Sequence, residues 1–154
     1  MVNASRSGGS LAYFADTTRM RKMTPDYGQE LVFFNTSHND GEASPAKWTT
    51  PYKAWVTAVL ARLVLASPAL VGQNPHDPTR WGAESRQGDA YRARVRQVAA
   101  LAARQGWGFL DLYQAFLDDP RGLQVLVSQD GLHPYPAGYI LGGQRAAAFV
   151  VGDN

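Results

Sequence analysis

An aspartate and a histidine near the C-terminal end of the chain have the spacing of a catalytic pair. Asp130 and His133 lie three positions apart in the stretch SQDGLHPYP, and Pro134 follows the histidine directly. A histidine that acts as a general base needs a carboxylate to fix its orientation and its tautomer. Because proline restricts the preceding residue to an extended backbone, Pro134 limits the conformations of His133. The stretch therefore predicts a base with its orienting acid, although a polar turn without chemistry has the same pattern.

Two further polar segments contain the other histidines of the chain. His38 lies in NTSHND, after the apolar run 31–34, and His76 lies in QNPHDP, after the apolar run 69–72. A third apolar run, 109–113, precedes the loop with the aspartate and the histidine. Short apolar runs are typical of strands that are buried on both faces of a parallel sheet. Because chemistry in such sheets collects at the carboxyl ends of the strands, we expect the three polar segments to meet.

Helices are predicted between and after these strands. The first begins at the Thr-Thr-Pro of residues 49–51, the second is capped by Asp89 and stops at Gly106, and the last runs from residue 136 to about 150. The alternation of strand and helix predicts an α/β domain with a parallel sheet. Since no repeat or linker interrupts the chain, we expect a single domain over residues 1–154.

Composition excludes several classes of function. The chain has 154 residues, of which 45% are hydrophobic and 18% charged, as in a soluble globular domain. The net charge is +2 and the arginines are scattered, which argues against binding of nucleic acid. The chain has no cysteine, so disulfides and thiolate catalysis are excluded. No window reaches the roughly 18 apolar residues of a membrane span. The start, MVNASRSGGS, lacks the pattern of a secretory signal, and the compartment stays open.

The polar segments are a weak match to a metal site or a phosphate site. The residues available as metal ligands are His38, Asp40, His76, Asp77, Asp130 and His133. No pair of them has the His-x-x-x-His spacing that places two ligands on one face of a helix. No glycine-rich loop follows a predicted strand, which counts against a doubly wound domain that binds phosphate. We predict neither a metal nor a cofactor.

In chain order these segments resemble the blocks of the SGNH (GDSL-type) hydrolases. The family has a Gly-Asp-Ser block, an isolated glycine, a Gly-x-Asn-Asp block and an Asp-x-x-His block. The stretch VNASRSGGS resembles the second block, with Gly8 as its glycine. The stretch LVFFNTSHND resembles the third, with Asn39 as its asparagine and Ser37 in place of the glycine. Residues 130–133 match the last block.

The resemblance implies a flavodoxin-like three-layer sandwich around a parallel sheet, and an enzyme that cleaves acyl or acetyl esters of sugars or lipids. By position in the family, His133 is the base that takes the proton of a serine hydroxyl, and Asp130 orients it. The Asn39 side chain and the Gly8 backbone N–H donate hydrogen bonds to the oxyanion of the reaction intermediate.

The Gly-Asp-Ser block, which carries the nucleophile in the family, has no counterpart in the chain. Ser5, Ser7, Ser10 and Ser37 lie in or near the other blocks, but none has the family's sequence context. We therefore expect the first, central strand of the sheet to be missing, and the chain alone to be inactive. A longer gene product or a second polypeptide would then supply the serine.

The alternative hypothesis is a non-catalytic module of the same fold that binds a carbohydrate or another ligand. Its rim would be formed by Trp48, Trp81, Tyr135 and the QNPHDP loop, which contains His76. For an esterase, the expected rim of the substrate site is His38, His76 and Trp81.

Overall fold

The computed structural model describes residues 9–35, 40, 44–63, 65–80 and 86–152. Its elements in chain order are α1 (Leu11–Ala15), α2 (Thr17–Met23), β1 (Leu31–Phe34), α3 (Pro45–Leu60), β2 (Ser67–Gly72), α4 (Arg86–Gln105), β3 (Gly108–Asp111), α5 (Leu112–Leu117), α6 (Leu123–Leu126) and α7 (Pro136–Val151). None of the helices in this part of the chain is long and apolar enough to cross a membrane.

The three strands form one parallel sheet in the order β1-β2-β3. Leu31 is paired with Ser67, and Ala69 is paired with Gly108. The predicted α/β fold with a parallel sheet is therefore confirmed. Strand β1 lies at an edge and pairs only with β2 among the described residues, which fits the predicted sheet without its first strand.

Helices cover both faces of the sheet. On one face Phe34 of β1 packs in the main core with α3 and α4, whose contributions include the fully buried Tyr52 and Val56. The next side chain in the strand, Phe33, contacts Phe149 of α7, with ring centroids 5.8 Å apart. Because successive side chains in a strand point to opposite faces, α3 and α7 lie on opposite sides of the sheet. The result is a three-layer sandwich.

Two predicted helix starts are wrong. Helix α3 begins at Pro45 with Ser44 as its N-cap, so the prolyl residue predicted for its first turn, Pro51, lies inside the helix. The earlier start follows from packing, since Trp48 is buried and stacks on Tyr52 one turn later, with ring centroids 4.4 Å apart. Helix α4 also begins early, so that Asp89 lies in its first turn and is not its cap.

Three predicted ends can be compared with the structure. Gly106 ends α4 as predicted, with a φ of +64° that favours glycine. The last helix, Pro136–Val151, also agrees with the prediction. The third strand is shorter than predicted, because the side chain of Asp111 accepts a hydrogen bond of 2.9 Å from the N–H of Gln114 and starts α5 there.

Candidate active site

Asp130 and His133 face each other across the turn that joins α6 to α7. Nδ1 of His133 lies 2.7 Å from Oδ2 of Asp130. The other oxygen, Oδ1, accepts hydrogen bonds from the backbone N–H of Leu132 at 2.8 Å, from the N–H of His133 at 3.0 Å, and from the hydroxyl of Ser128. Each carboxylate oxygen thus has its own partners, and the carboxylate is held in one orientation.

These donors determine the charge and the tautomer of the pair. The hydroxyl of Ser128, followed by the His133 ring and two backbone N–H groups, holds the pKa of Asp130 far below its usual range. Ionised Asp130 can only accept hydrogen bonds, so a neutral His133 ring carries its proton on Nδ1. Nε2 then keeps its lone pair. Since 64% of the His133 side chain is exposed, that nitrogen is open to a reacting group.

The backbone of this turn is closed by hydrogen bonds of its own. The N–H of Ser128 donates to the carbonyl of His133 at 2.7 Å, and the N–H of Gly131 donates to the carbonyl of Ser128 at 2.9 Å. Gly131 has a φ of +72°, a conformation that is costly for residues with a side chain. The turn therefore requires the glycine between Asp130 and His133.

Asp40 joins the second and third of the sequence blocks. Its Oδ1 accepts a hydrogen bond of 2.8 Å from the N–H of Leu11, and its Oδ2 accepts one of 2.8 Å from Nε1 of Trp48. The expected oxyanion donors Gly8 and Asn39 lie outside the described residues. Asp40 is next to Asn39 in the sequence, and Leu11 follows Gly8 by three positions, so this contact joins sequence neighbours of the two expected donors.

Of the four serines considered as nucleophiles, three lie outside the described residues: Ser5, Ser7 and Ser37. Ser10 is the N-cap of α1, and its Oγ accepts a hydrogen bond of 3.4 Å from the N–H of Tyr13. Ser128 donates its hydroxyl to Asp130, on the acid side of the pair. Among the described residues, no serine donates a hydrogen bond to His133.

The residues expected at a substrate rim have different positions. His38 and Trp81 lie outside the described residues. His76 is half-buried and stacks on Tyr91, with ring centroids 4.6 Å apart and the planes 4° from parallel. Trp48, proposed for the rim of a binding module, is buried in the core and therefore cannot border a ligand there.

A cavity of about 340 Å³ lies beside the carboxyl ends of the strands. Leu112, Phe116 and Pro134 give it an apolar wall, and glycines of α7 form another side. Asn35, Gln73 and Asn74 contribute amide groups. Because Pro134 follows His133, the cavity adjoins the turn with the Asp130–His133 pair. Within the described ranges, no three His, Asp or Glu side chains are grouped so that they could hold a metal ion.

Most of the chain matches the model of one known family. The model of the family described as GDSL-like Lipase/Acylhydrolase matches residues 2–141. The chain belongs to the GDSL-like lipase/acylhydrolase family. A search of curated proteins finds no match. The resemblance drawn from the sequence blocks is confirmed.

Solved structures of the same kind share the fold. A GDSL-like lipase from Bacteroides thetaiotaomicron is 18% identical with a TM-score of 0.69, covering 94% of this chain and 73% of its own. A lipase/acylhydrolase from Enterococcus faecalis is 18% identical with a TM-score of 0.67, at 94% and 72% coverage. A carbohydrate esterase family 3 protein from Talaromyces cellulolyticus is 14% identical with a TM-score of 0.73, at 94% and 68% coverage. The GDSL-like chain thus has the three-layer fold of these hydrolases.

Sequence reasoning missed three residues of this GDSL-like site. Ser128 holds the acid, while Asn74 and Arg80 contact the backbone of the turn from the loop after β2. Ser128 is part of the stretch SQDGLHPYP, but a serine two positions before an aspartate is common in loops. Asn74 and Arg80 bond to residues that are 58 and 47 positions away in the sequence, and no local sequence pattern indicates such contacts.

The half-buried ring of His76, stacked on Tyr91, predicts that the stability of the fold decreases in acid. Burial, and then the charge of Arg94, lowers the pKa of His76 from 6.5 to about 4. Between these values the unfolded chain takes up a proton that the folded chain does not, so stability falls as the pH falls from 6.5 towards 4. Allowing for the partial solvent contact of the ring, the loss is about 2 kcal/mol.

Urea unfolding at pH 7 and pH 4.5 measures this loss. His76→Phe keeps an aromatic ring on Tyr91 but does not titrate, so its unfolding free energy should change less over the same interval. Equal changes in the two proteins would show that another group causes the acid sensitivity.

Proposed function

We propose that this chain supplies the general base, its orienting acid and the oxyanion donors of a carboxylic ester hydrolase. The observation that carries the proposal is the Asp130–His133 pair, in which Oδ2 accepts from Nδ1 at 2.7 Å and leaves Nε2 as the base. Nε2 takes the proton of a serine hydroxyl as the serine oxygen attacks the acyl carbon. It then returns that proton to the leaving alcohol. A water molecule, deprotonated by Nε2 in the same way, then attacks the acyl-serine ester, and the proton returns to the serine as the carboxylic acid leaves.

Gly8 and Asn39 are proposed as the donors to the oxyanion of the intermediate. The contact of Asp40 with Leu11 supports this role, because these two residues are close to Asn39 and Gly8 in the sequence. Loss of one such donor typically costs roughly 2.7–4 kcal/mol of transition-state stabilisation. The substrates are esters of an acyl or acetyl group with a sugar or a lipid, and no cofactor takes part. Residues 1–154 act as one domain.

In this proposal the serine comes from a segment outside residues 1–154, either an N-terminal segment of a longer gene product or a second polypeptide. The chain contains no Gly-Asp-Ser sequence. Two surfaces have the character needed to receive such a segment. The outer edge of β1 is unpaired among the described residues, and α7 exposes the apolar side chains of Tyr139, Ile140 and Val150. A strand paired with β1 and a helix on α7 would occupy both surfaces.

Hydrolysis of p-nitrophenyl acetate tests the proposal. The chain is assayed alone and after co-expression with a donor segment, which consists of an apolar strand, Gly-Asp-Ser and an amphipathic helix. We expect background rates for the chain alone. We expect turnover for the co-purified complex, and the loss of this turnover with His133→Ala or with alanine in place of the donor serine.

Two results would contradict parts of the proposal. If the chain alone shows turnover that depends on His133, the proposed hydrolase function stands but the proposed origin of the serine is wrong. The nucleophile would then lie within the chain, at Ser5, Ser7, Ser10 or Ser37. A complex of the chain with the donor segment that purifies but shows no turnover would contradict the proposed hydrolase function. Binding of a saccharide by the same chain would then favour the ligand-binding module, which the absence of Gly-Asp-Ser also suits.

A further inference from the structure

An arginine in the loop between β2 and α4 contacts the backbone of the segment in which Asp130 and His133 lie. The guanidinium of Arg80 donates from Nη1 to the carbonyls of Val127 at 2.7 Å and Ser128 at 3.2 Å, and from Nη2 to the carbonyl of Gln124 at 3.1 Å. Its Nε lies 3.5 Å from Oδ2 of the buried Asp77. One side chain thus joins α6 to the start of the turn in which Asp130 and His133 lie.

The same loop also reaches the two residues between the acid and the base. The backbone N–H of Asp77 donates to the carbonyl of Gly131 at 2.9 Å. Nδ2 of Asn74, a buried side chain, donates to the carbonyl of Leu132 at 3.0 Å. Both contacts follow Asp130 along the chain, whereas those of Arg80 precede it, and none of them involves the Asp130 side chain or the His133 ring.

The loop is itself fixed to α4. The hydroxyl of Tyr91 donates to the carbonyl of Asn74 at 3.0 Å, and its ring stacks on His76. Oδ1 of Asp77 accepts from the N–H of Thr79 at 2.9 Å and from its hydroxyl at 2.7 Å. The groups that donate hydrogen bonds to the turn with Asp130 and His133 therefore lie on a loop that packs against α4.

We infer that Asn74, Asp77 and Arg80 position the general base by holding the backbone of the turn in which Asp130 and His133 meet. The turn needs such support because the two side chains are 47% and 64% exposed, so water competes for the hydrogen bonds that hold them and for the neutral backbone bonds of the turn. Bonds from a guanidinium are stronger. Arg80 acts through the turn and is a positioning residue, and its catalytic consequence rests on the proposed function.

The Nδ1–H proton of His133 reports this positioning without any need for hydrolysis. Its NMR signal and its exchange with solvent are compared in the full chain, in Arg80→Gln and in Arg80→Lys. We expect exchange at least tenfold faster in Arg80→Gln. Lysine should restore part of the protection, because an ammonium can donate to some of the three carbonyls. The control is Arg121→Gln, whose arginine pairs with Asp119 outside the turn and should leave the signal unchanged.

In the enzyme complemented with the donor segment, Arg80→Gln should lower kcat on the order of 10²-fold with little change in KM, as expected for a displaced catalytic group. Asn74→Leu removes the donor to Leu132 at similar size and should act in the same direction, which keeps the test open if Arg80→Gln fails to fold. A folded Arg80→Gln with the wild-type exchange rate would overturn the inference. Absence of turnover in every protein would count against the proposed function alone, because the proton signal would still be read.

Discussion

Replacing Asp130 with asparagine is expected to reverse the tautomer of His133 and to lower kcat of the complemented enzyme on the order of 10⁴-fold. The reason lies in the donors around the carboxylate. Three of them converge on Oδ1, from Ser128, Leu132 and the His133 backbone, while Oδ2 faces only Nδ1 of the ring. An asparagine would place its oxygen at the three donors and its amide nitrogen opposite Nδ1.

The amide would then donate to Nδ1, so the proton of the neutral ring would move to Nε2. A ring protonated at Nε2 cannot take the proton of a serine. The fold should change little, because asparagine has the size and shape of aspartate and keeps the three bonds to Oδ1.

Nitrogen NMR of His133 measures the tautomer directly, and initial rates with p-nitrophenyl acetate measure kcat. Asp111→Asn is a matched control, because Asp111 also accepts a backbone N–H but as the cap of α5, and asparagine is an equally good cap. The control should keep the Nδ1–H form. An Asp130→Asn protein that also keeps the Nδ1–H form would refute the assignment of the donors.

Gly138→Ala should destabilise the fold by about 3 kcal/mol, near the upper end for added volume in a packed site. Gly138 lies where α7 crosses the end of α6. An added Cβ would be 2.3 Å from the carbonyl oxygen of Leu126 and 3.0 Å from atoms of Phe116 and Pro134. A backbone oxygen cannot rotate away as the end of a side chain can, so the helix or the turn before it must move.

Gly143→Ala provides the opposite expectation in the same helix. No atom lies within 4 Å of the Cβ that would be added there. Alanine should therefore stabilise the helix by about 0.5–1 kcal/mol through its better helix propensity. Urea unfolding of both variants gives the comparison. A neutral Gly138→Ala would mean that α7 packs less closely on α6 than the structure shows.

The sheet and its long helices were predictable because their signals are local. Continuous apolar runs predicted β1 and β2, and Gly106 predicted the end of α4. The start of α3 was not predictable in the same way, because Pro51 looks like a first-turn proline until the burial of Trp48 is known. The four short helices α1, α2, α5 and α6 have four to seven residues, too few for an apolar repeat to appear.

The candidate site was predictable only in part. The spacing of Asp130 and His133 fixes which side chains can meet, and the structure places them 2.7 Å apart. The contacts of Arg80 and Asn74 depend on how two distant loops pack, and a single sequence contains no signal for such packing. The proposed roles of Gly8 and Asn39 stay predictions, because both lie outside the described residues.

The apolar face that α7 exposes has a thermodynamic consequence. Tyr139, Ile140, Val150 and Val151 are each more than half exposed, whereas Gly138 and Leu141 of the same helix are buried. A polypeptide that bound this face of the folded chain, and not the unfolded chain, would stabilise the fold. By mass action, a free concentration 100 times the Kd would add about 2.7 kcal/mol to the free energy of unfolding. The melting temperature of the chain would then rise with the concentration of such a polypeptide.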